Sequence, residues 1–345
     1  MGRSLVAGAV AVAVVVAAAL ATAAAGPAQA QSKTGTAIGT FMLIEPSARI
    51  AGMGNAGAPM DEGLQAVFYN PAALGMVETR AAEFTHAAWI EGIDYNHAAA
   101  AFPVPGLGIV YAGVTALNSG AMDVRTVEQP LGTGEQFSVS DLAIGLGYAR
   151  RVTDRFSTGV QVKYAQETIW HSSLKVAVFD FGTLYRVSEH GLRLGASIVN
   201  FGTRGRFDGR DLRILFDSDP SRFGNNGALP AELLTDAFAV PILFRVGLGV
   251  PRQVGRNGRL WLAVEGTHPS DNTESINTGG EFTYRDVLSL RAGYQNLLQK
   301  DSEVGWTFGA GVKGKFQDLA YLFDYALADQ GRLDMTHRFT LGITF

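Results

Sequence analysis

From about residue 80 onward the chain breaks into short segments in which apolar side chains take every second position. Ile242, Phe244, Val246, Leu248 and Val250 are separated by Arg245, Gly247 and Gly249. Leu288, Leu290, Ala292 and Tyr294 are interleaved with Ser289, Arg291, Gly293 and Gln295. Phe156, Val160, Val162 and Tyr164 alternate with Ser157, Gly159, Gln161 and Lys163. Successive side chains on a strand point to opposite faces, so a period of two means strands with one apolar face. The other face carries charges of both signs and, repeatedly, glycine. A soluble sandwich also alternates, but glycine weakens a strand and has little reason to recur on a face that meets bulk water. It suits a crowded lumen, with the apolar face turned to lipid.

Fourteen such segments are expected, near 80–88, 95–103, 107–117, 137–150, 156–167, 174–187, 192–200, 242–250, 259–267, 275–284, 288–296, 306–315, 318–326 and 336–345. Most have the roughly 9–11 residues that a tilted strand needs to cross a bilayer. The connections provide an independent test. Every second one is short: Pro105-Gly106, Arg151 to Asp154, Ser188 to Gly191, Pro251 to Gly258, Arg285-Asp286-Val287 and Phe316-Gln317. The two longest, about 118–136 and 201–241, both fall in the other set. Short periplasmic turns and longer outer loops are the rule for outer-membrane barrels. The expected fold is therefore an all-β, 14-stranded antiparallel transmembrane β-barrel over 80–345. Composition agrees: charged residues are 17% of the 345, against about 25% in ordinary soluble domains. No stretch after residue 35 approaches the 18 apolar residues of a membrane-spanning helix.

Both termini carry signals. Arg3, the Val/Ala/Leu run Leu5 to Ala25 and Ala28-Gln29-Ala30 read as a cleaved signal peptide over 1–30; an uncleaved anchor is the competing reading. At the other end Phe339, Leu341, Ile343 and Phe345 alternate with Arg338, Thr340, Gly342 and Thr344. An amphipathic last strand closing on an aromatic residue looks like the signal read by the barrel assembly machinery. Between these ends lies the segment 31–79, of which residues 36–79 do not alternate. They combine Gly39, Gly52, Gly54, Gly57, Gly63 and Gly75 with apolar residues, and are too few to form a domain. Their expected place is inside the barrel, as a hatch or plug.

At this point the sequence resembles a known group. Asn70-Pro71-Ala72 looks like the hatch motif of FadL-type outer-membrane channels, the long-chain fatty acid transporters. Ala48-Arg49-Ile50-Ala51-Gly52-Met53-Gly54-Asn55-Ala56 and Tyr69-Asn70-Pro71-Ala72-Ala73-Leu74 resemble the opening of the PorV/PorQ family of barrels. Ala88 to Tyr95, Gly191 to Ser197, Leu290 to Tyr294, Asp324-Tyr325-Ala326 and Thr336 to Leu341 follow in the same order. The resemblance covers essentially residues 36–345. It implies 14 strands with an N-terminal hatch and, in some members, a type IX secretion role in which the barrel binds a translocon or receives cargo. The expected function is accordingly binding and handing over secreted protein cargo or a translocon partner. The alternative is a FadL-like channel for uptake of hydrophobic small molecules.

Enzymatic chemistry has no positive support. There is no cysteine, so no thiolate metal site or cysteine nucleophile exists, and no cofactor is implied. Gly309 to Lys315 fits a phosphate-loop pattern, but Phe316 follows where Ser or Thr is needed, and the run reads as a strand. His86 and His97 could pair across a hairpin. They are two ligands where a metal site wants three or four, and are expected in an outer aromatic girdle with Phe84 and Tyr95. His171, His268 and Asp271 lack a nucleophile motif. Asp217-Ser218-Asp219 lacks a calcium-loop pattern. The expected partners are outer-membrane lipid, the assembly machinery, a translocon or secreted cargo, and a hydrophobic small molecule; the net charge of −4 argues against nucleic acid. Phe216, Phe223, Leu233, Leu234 and Phe238 are candidate partner-binding residues of the long loop. Val110, Ala112 and Val114 are candidates for a lateral exit. The lumen charges Asp141, Lys163, Arg193, Arg245, Glu265, Glu281, Arg291 and Arg338 are expected to pair and to tie down the hatch, with a selectivity lining as the alternative.

Overall fold

A computed structural model describes residues 35–188, 191–219, 221, 224, 227–299 and 302–345. The signal-peptide expectation and Phe223 lie outside the described residues. Fourteen antiparallel strands form the wall: β1 Ala81–Ala88, β2 Asp94–Val104, β3 Gly108–Asn118, β4 Val139–Arg151, β5 Phe156–Ile169, β6 Ser172–Arg186, β7 Arg193–Gly202, β8 Leu243–Val254, β9 Gly258–Pro269, β10 Ser275–Tyr284, β11 Leu288–Leu297, β12 Trp306–Phe316, β13 Leu319–Asp329 and β14 Met335–Thr344. Each pairs with its sequence neighbours, and β1 pairs with β14 from Ala81↔Thr344 to Ala88↔His337. The sheet is thus closed, which removes the free edges that a bilayer cannot satisfy. The N–H of Phe345 adds a bond to the carbonyl of Arg80 at 2.9 Å.

The strand alternation sorts as the sequence requires. Leu142, Ile144 and Leu146 of β4 are 44, 50 and 60% exposed, while the intervening Ala143 is buried. Such a continuous apolar outer band can only be stable against lipid. Tyr185, Tyr284, Tyr321 and Phe345 ring the short-turn end of the outer surface, and Trp170, Phe201 and Trp306 the loop end. These aromatic girdles mark the two membrane interfaces. The hairpin between β8 and β9 runs further than expected. The strands extend to Val254 and from Gly258, so the turn is only 255–257 and not Pro251 to Gly258. The paired backbone continues past the apolar band because Arg252 and Gln253 face water.

Two places break the ladder, and they share one chemistry. Between β6 and β7 the register shifts at Asp180, opposite Asn200, whose φ is 62°. Between β10 and β11 it shifts at Asn277, opposite Asn296, whose φ is 56°. In each case the left-handed asparagine donates its N–H to the facing side chain, Asp180 Oδ1 at 2.8 Å or Asn277 Oδ1 at 2.9 Å. Asparagine tolerates this backbone region better than other non-glycine residues.

Residues 35–79 lie inside the wall. They form short turns of helix at Thr40–Leu43, Ala48–Ala51, Leu64–Ala66 and Pro71–Met76. Apolar side chains pack outward from this segment against the wall in several clusters. Ile38, Phe41 and Met42 meet Leu174, Val176 and Val178. Ile50, Met53, Met60 and Tyr69 meet Trp261 and Ala263. Leu64, Val67 and Leu74 meet Ala99, Ala101, Ile109 and Tyr111. The last cluster explains why β2 and β3 have apolar residues on both faces: one face meets lipid and the other an apolar inner segment.

Candidate functional site

The inner segment is seated by backbone contact. Gly195 faces the carbonyl of Ala58, Gly182 faces Asn70, and Gly159 faces Pro71. Gly279 and Gly293 face Met53 and Gly54, and Gly309 faces Gly52. A methyl group at any of these wall positions would press on the inner segment, in most cases on its backbone. This close approach is the physical reason glycine keeps recurring on the inward face.

Around these seats the wall satisfies the segment's polar groups. The N–H of Gly54 donates to Thr307 Oγ1 at 2.9 Å, that of Ala58 to Glu265 at 2.6 Å, and that of Ala48 to Thr340 Oγ1 at 3.1 Å. Ser157 and Ser197 donate to the carbonyls of Ala72 and Tyr69, each at 2.7 Å. Within the Asn70-Pro71-Ala72 motif, the Asn70 Oδ1 accepts from the N–H of Ala72 at 3.0 Å, capping the turn that Pro71 begins. Its Nδ2 donates to the carbonyls of Ala58 at 2.9 Å and Thr183 at 3.0 Å. The motif therefore joins two stretches of the inner segment to β6.

Ion pairs add a second set of ties. Arg49 reaches Glu281 at 2.6 Å and Glu62 at 3.4 Å; Arg291 bridges Glu281 and Asp324 at 2.6 and 2.7 Å. Asp61 holds Arg186 and Arg193, each at 2.6 Å, and Arg245 holds Glu45 and Glu265 at 3.0 and 2.9 Å. Arg259 reaches Glu62 at 2.7 Å. Most of the expected lumen charges thus do pair, several of them with the inner segment. The segment's own partners, Glu45, Arg49, Asp61 and Glu62, carried no pairing signal in the sequence. Burial pushes the Glu62 carboxyl up, but Arg49, Arg259 and Lys313 together outweigh burial and hold it below its ordinary value. Burial likewise works against the Arg49 cation, yet Glu281, Glu62 and Asp324 raise its pKa overall.

Above the segment, on the loop side, a cavity of about 310 Å³ opens between the inner segment and β8 to β14. Its lining includes the apolar side chains Leu43, Ile44, Trp89, Leu243 and Val304, and the carboxylates Glu45 and Asp271. Interspersed with these are carboxamides, among them Asn55, Asn277, Gln295, Gln299 and Gln330. Arg245 and Arg338 also face it. Arg338 departs from the expected pairing. It is 1% exposed, stacks over the Trp89 ring at 4.8 Å, and its Nε and Nη1 have no hydrogen-bond partner among the described residues. The arrangement can hold a small molecule with an apolar body and a polar end. A second pocket of about 20 Å³ lies against β2 to β5, beside Phe68, His97 and Tyr111.

The remaining candidates fall in different places. Val110, Ala112 and Val114 face outward on β3, whose pairing with both β2 and β4 is unbroken there. They sit in the lipid-facing band with no opening beside them. His86 and His97 lie on opposite faces of their hairpin, so the girdle expectation fails for His97 and for Tyr95. His97 points inward to Thr115 Oγ1 at 2.9 Å, and Tyr95 donates to the carbonyl of Ile44 at 2.8 Å. The misreading has a cause: with alanines on both faces, β2 gives no contrast from which to read its parity. Phe339, Leu341, Ile343 and Phe345 all face outward on or just beyond β14. The long loop carries a hairpin, Arg213–Phe216 with Leu229–Glu232. Phe216, Leu233, Leu234 and Phe238 are exposed on or near it. His171 pairs with Asp211 and His268 with Glu274, each at 2.9 Å. Gly309 to Lys315 is a strand within β12, so no phosphate loop forms.

A closed 14-stranded barrel with an apolar outer band and a buried N-terminal segment defines a class, the stoppered outer-membrane barrel. Solved structures share this fold. A Pseudomonas aeruginosa FadL homologue is 13% identical over 87% of this chain and 98% of its own, with a TM-score of 0.51. The Ralstonia pickettii toluene transporter TbuX is 14% identical over 87 and 97%, TM-score 0.51. The Pseudomonas putida toluene transporter TodX is 12% identical over 86 and 96%, TM-score 0.53. At these identities the likeness establishes the fold. No protein-family model and no curated protein sequence matches the chain. The FadL-type part of the resemblance is therefore matched at the level of fold, and the PorV/PorQ part draws no support.

Proposed function

We propose that the protein is an outer-membrane channel for hydrophobic small molecules that carry a polar group, and that residues 31–79 are its hatch. The observation that carries the reading is the cavity of mixed apolar and carboxamide lining poised directly above the buried inner segment. Entry at the loop end, binding in the cavity and displacement of the hatch account for its placement. The toluene transporters that share the fold support the hydrophobic part of that cargo. No covalent step is involved. Nor does a ligand leaving through the wall at Val110, Ala112 and Val114 find an opening; it would have to part the β2–β3 ladder. The C-terminal alternation Phe339 to Phe345 serves the assembly machinery in this reading, and residues 1–30 serve export.

The test is purification from the native outer membrane in mild detergent, with mass spectrometry of everything that co-elutes. A bound molecule with an apolar body, lost when Arg338 is replaced by Met, is expected. Stoichiometric protein in place of any small molecule would overturn the channel. One observation favours that second reading, a protein partner such as a secretion translocon or its cargo. Leu215 and Leu234 of the long outer loop are 71 and 82% exposed, beyond the lipid band. Deleting 212–236 should abolish protein capture if that reading holds, and spare small-molecule binding if the channel reading holds.

A further inference from the structure

The outer end of β6 and the chain that follows β7 carry a patch of cations that the hatch and cavity do not use. Beyond the break at Asn200, residues 203–209 run back along β6. The N–H of Thr203 donates to the carbonyl of Ala177 at 3.0 Å, and Asp208 pairs with Ser173. Gly205 is buried in this extension, and a methyl there would meet Val176, Ile38 and Leu174, which are inward-facing. Alternation then turns Arg204 and Arg206 outward, and both are exposed. On β6, Lys175 is exposed between the buried Leu174 and Val176, on the same face as Phe179 and Phe181 below it.

Lys175, Arg204 and Arg206 therefore share the outer face, just above the aromatic pair Phe179↔Phe201. They line one groove of about 620 Å³. None has a carboxylate within 4.0 Å among the described residues, although Asp208 lies in the same groove. Neighbouring Arg210 is engaged with His171, and Arg213 sits opposite Glu232. Three like charges gathered on one rim repel one another, and a multivalent anion relieves that repulsion. An aromatic girdle marks the headgroup level, and Arg and Lys are the side chains that bind phosphate there.

We propose that this groove binds the phosphorylated headgroup of an outer-leaflet lipid. Phosphate oxygens would be held by Arg204, Arg206 and Lys175, while the acyl chains lie along Phe179, Phe181 and Phe201. The proposal rests on the loop-bearing end being the outer one; it does not depend on what the cavity transports. The test is titration of the purified protein in neutral detergent, read by native mass spectrometry and by melting temperature. The probes are bis-phosphorylated lipid A, the same lipid without phosphates, and inorganic phosphate. Bis-phosphorylated lipid A should bind and raise the melting temperature, with affinity falling as salt rises. The Lys175→Gln/Arg204→Gln/Arg206→Gln variant should lose at least tenfold in that affinity. Its circular dichroism and small-molecule binding should be unchanged, and Arg206→Gln alone provides a milder variant. Equal binding by the triple variant, or equal binding of the dephosphorylated lipid, would overturn the proposal. So would competition by inorganic phosphate as effective as the lipid itself, which would make the groove a free-anion site.

Discussion

At the residue scale, glycine and charge do the work of seating one stretch of chain inside another. The inward glycines were legible in the sequence as an oddity of the polar face. That they mark the path of the inner backbone was not, because contact partners 88 or more residues apart leave no local pattern. Gly195 illustrates the constraint: its absent side chain is replaced by the carbonyl of Ala58, a backbone group that cannot turn aside. Gly195→Val should therefore leave a folded, lipid-inserted barrel whose inner segment is unseated. Limited proteolysis should cut within 35–79 in the variant and spare the parent protein; equal protection in both would show that the seat is not needed.

The charged ties predict a pH dependence. The folded Glu62 carboxyl is held below its ordinary value of 4.5 by Arg49, Arg259 and Lys313 against the opposing effect of burial. A lowered folded value means that Glu62 contributes stability fully above the unfolded value. The contribution is lost as pH falls through the folded one. Denaturant unfolding of the parent protein should thus weaken between about pH 5 and pH 3, and Glu62→Gln should flatten part of that slope. An unchanged slope would mean that the pair contributes nothing measurable. Arg338, by contrast, was expected to be paired like its neighbours. Its stacking on Trp89 could not be read from sequence, since Trp89 lies outside any strand.

At the scale of the element, period-2 alternation located all fourteen strands. Wherever the two faces differ strongly, as in β4, β5 and β14, it also gave the correct parity. It failed on β2, where alanine and an apolar interior remove the contrast, and it overestimated the β8–β9 turn because strands can outrun the lipid. The two ladder breaks were invisible, since a lone asparagine in a strand is not a signal by itself. They make a specific prediction. Asn296 holds φ at 56°, a conformation that costs most L-residues about 1–2 kcal/mol. Asn296→Gly should be tolerated, whereas Asn296→Val should destabilise the barrel by about that amount in urea unfolding from detergent. Equal stability of the two variants would show that the break relaxes when asparagine is removed.

At the scale of the whole molecule, strand number and order are legible in the parity of short turns and long loops. That rule works because a barrel has two unlike ends and its strands are joined only to their neighbours. The function was less legible. In the proposed reading cargo is chosen by a cavity assembled from residues 43 to 338, and no linear motif announces such a set. The exposed loop that suggests a protein partner is real as a surface; the proposal of a small-molecule cargo rests on the cavity above the inner segment.

The central claim is that the inner segment is a gate for hydrophobic cargo. Because the chain has no cysteine, an Ala48→Cys/Thr340→Cys pair can lock the segment to β14, where the Ala48 N–H lies 3.1 Å from Thr340 Oγ1. The decisive measurement is uptake of a radiolabelled long-chain fatty acid, an apolar body with a polar end, by intact diderm cells producing the locked protein, before and after a membrane-permeant reductant. Uptake that is low when oxidised and rises to the unlocked level on reduction is the predicted result. Uptake indifferent to the lock, or no greater than in cells lacking the barrel, would contradict the account.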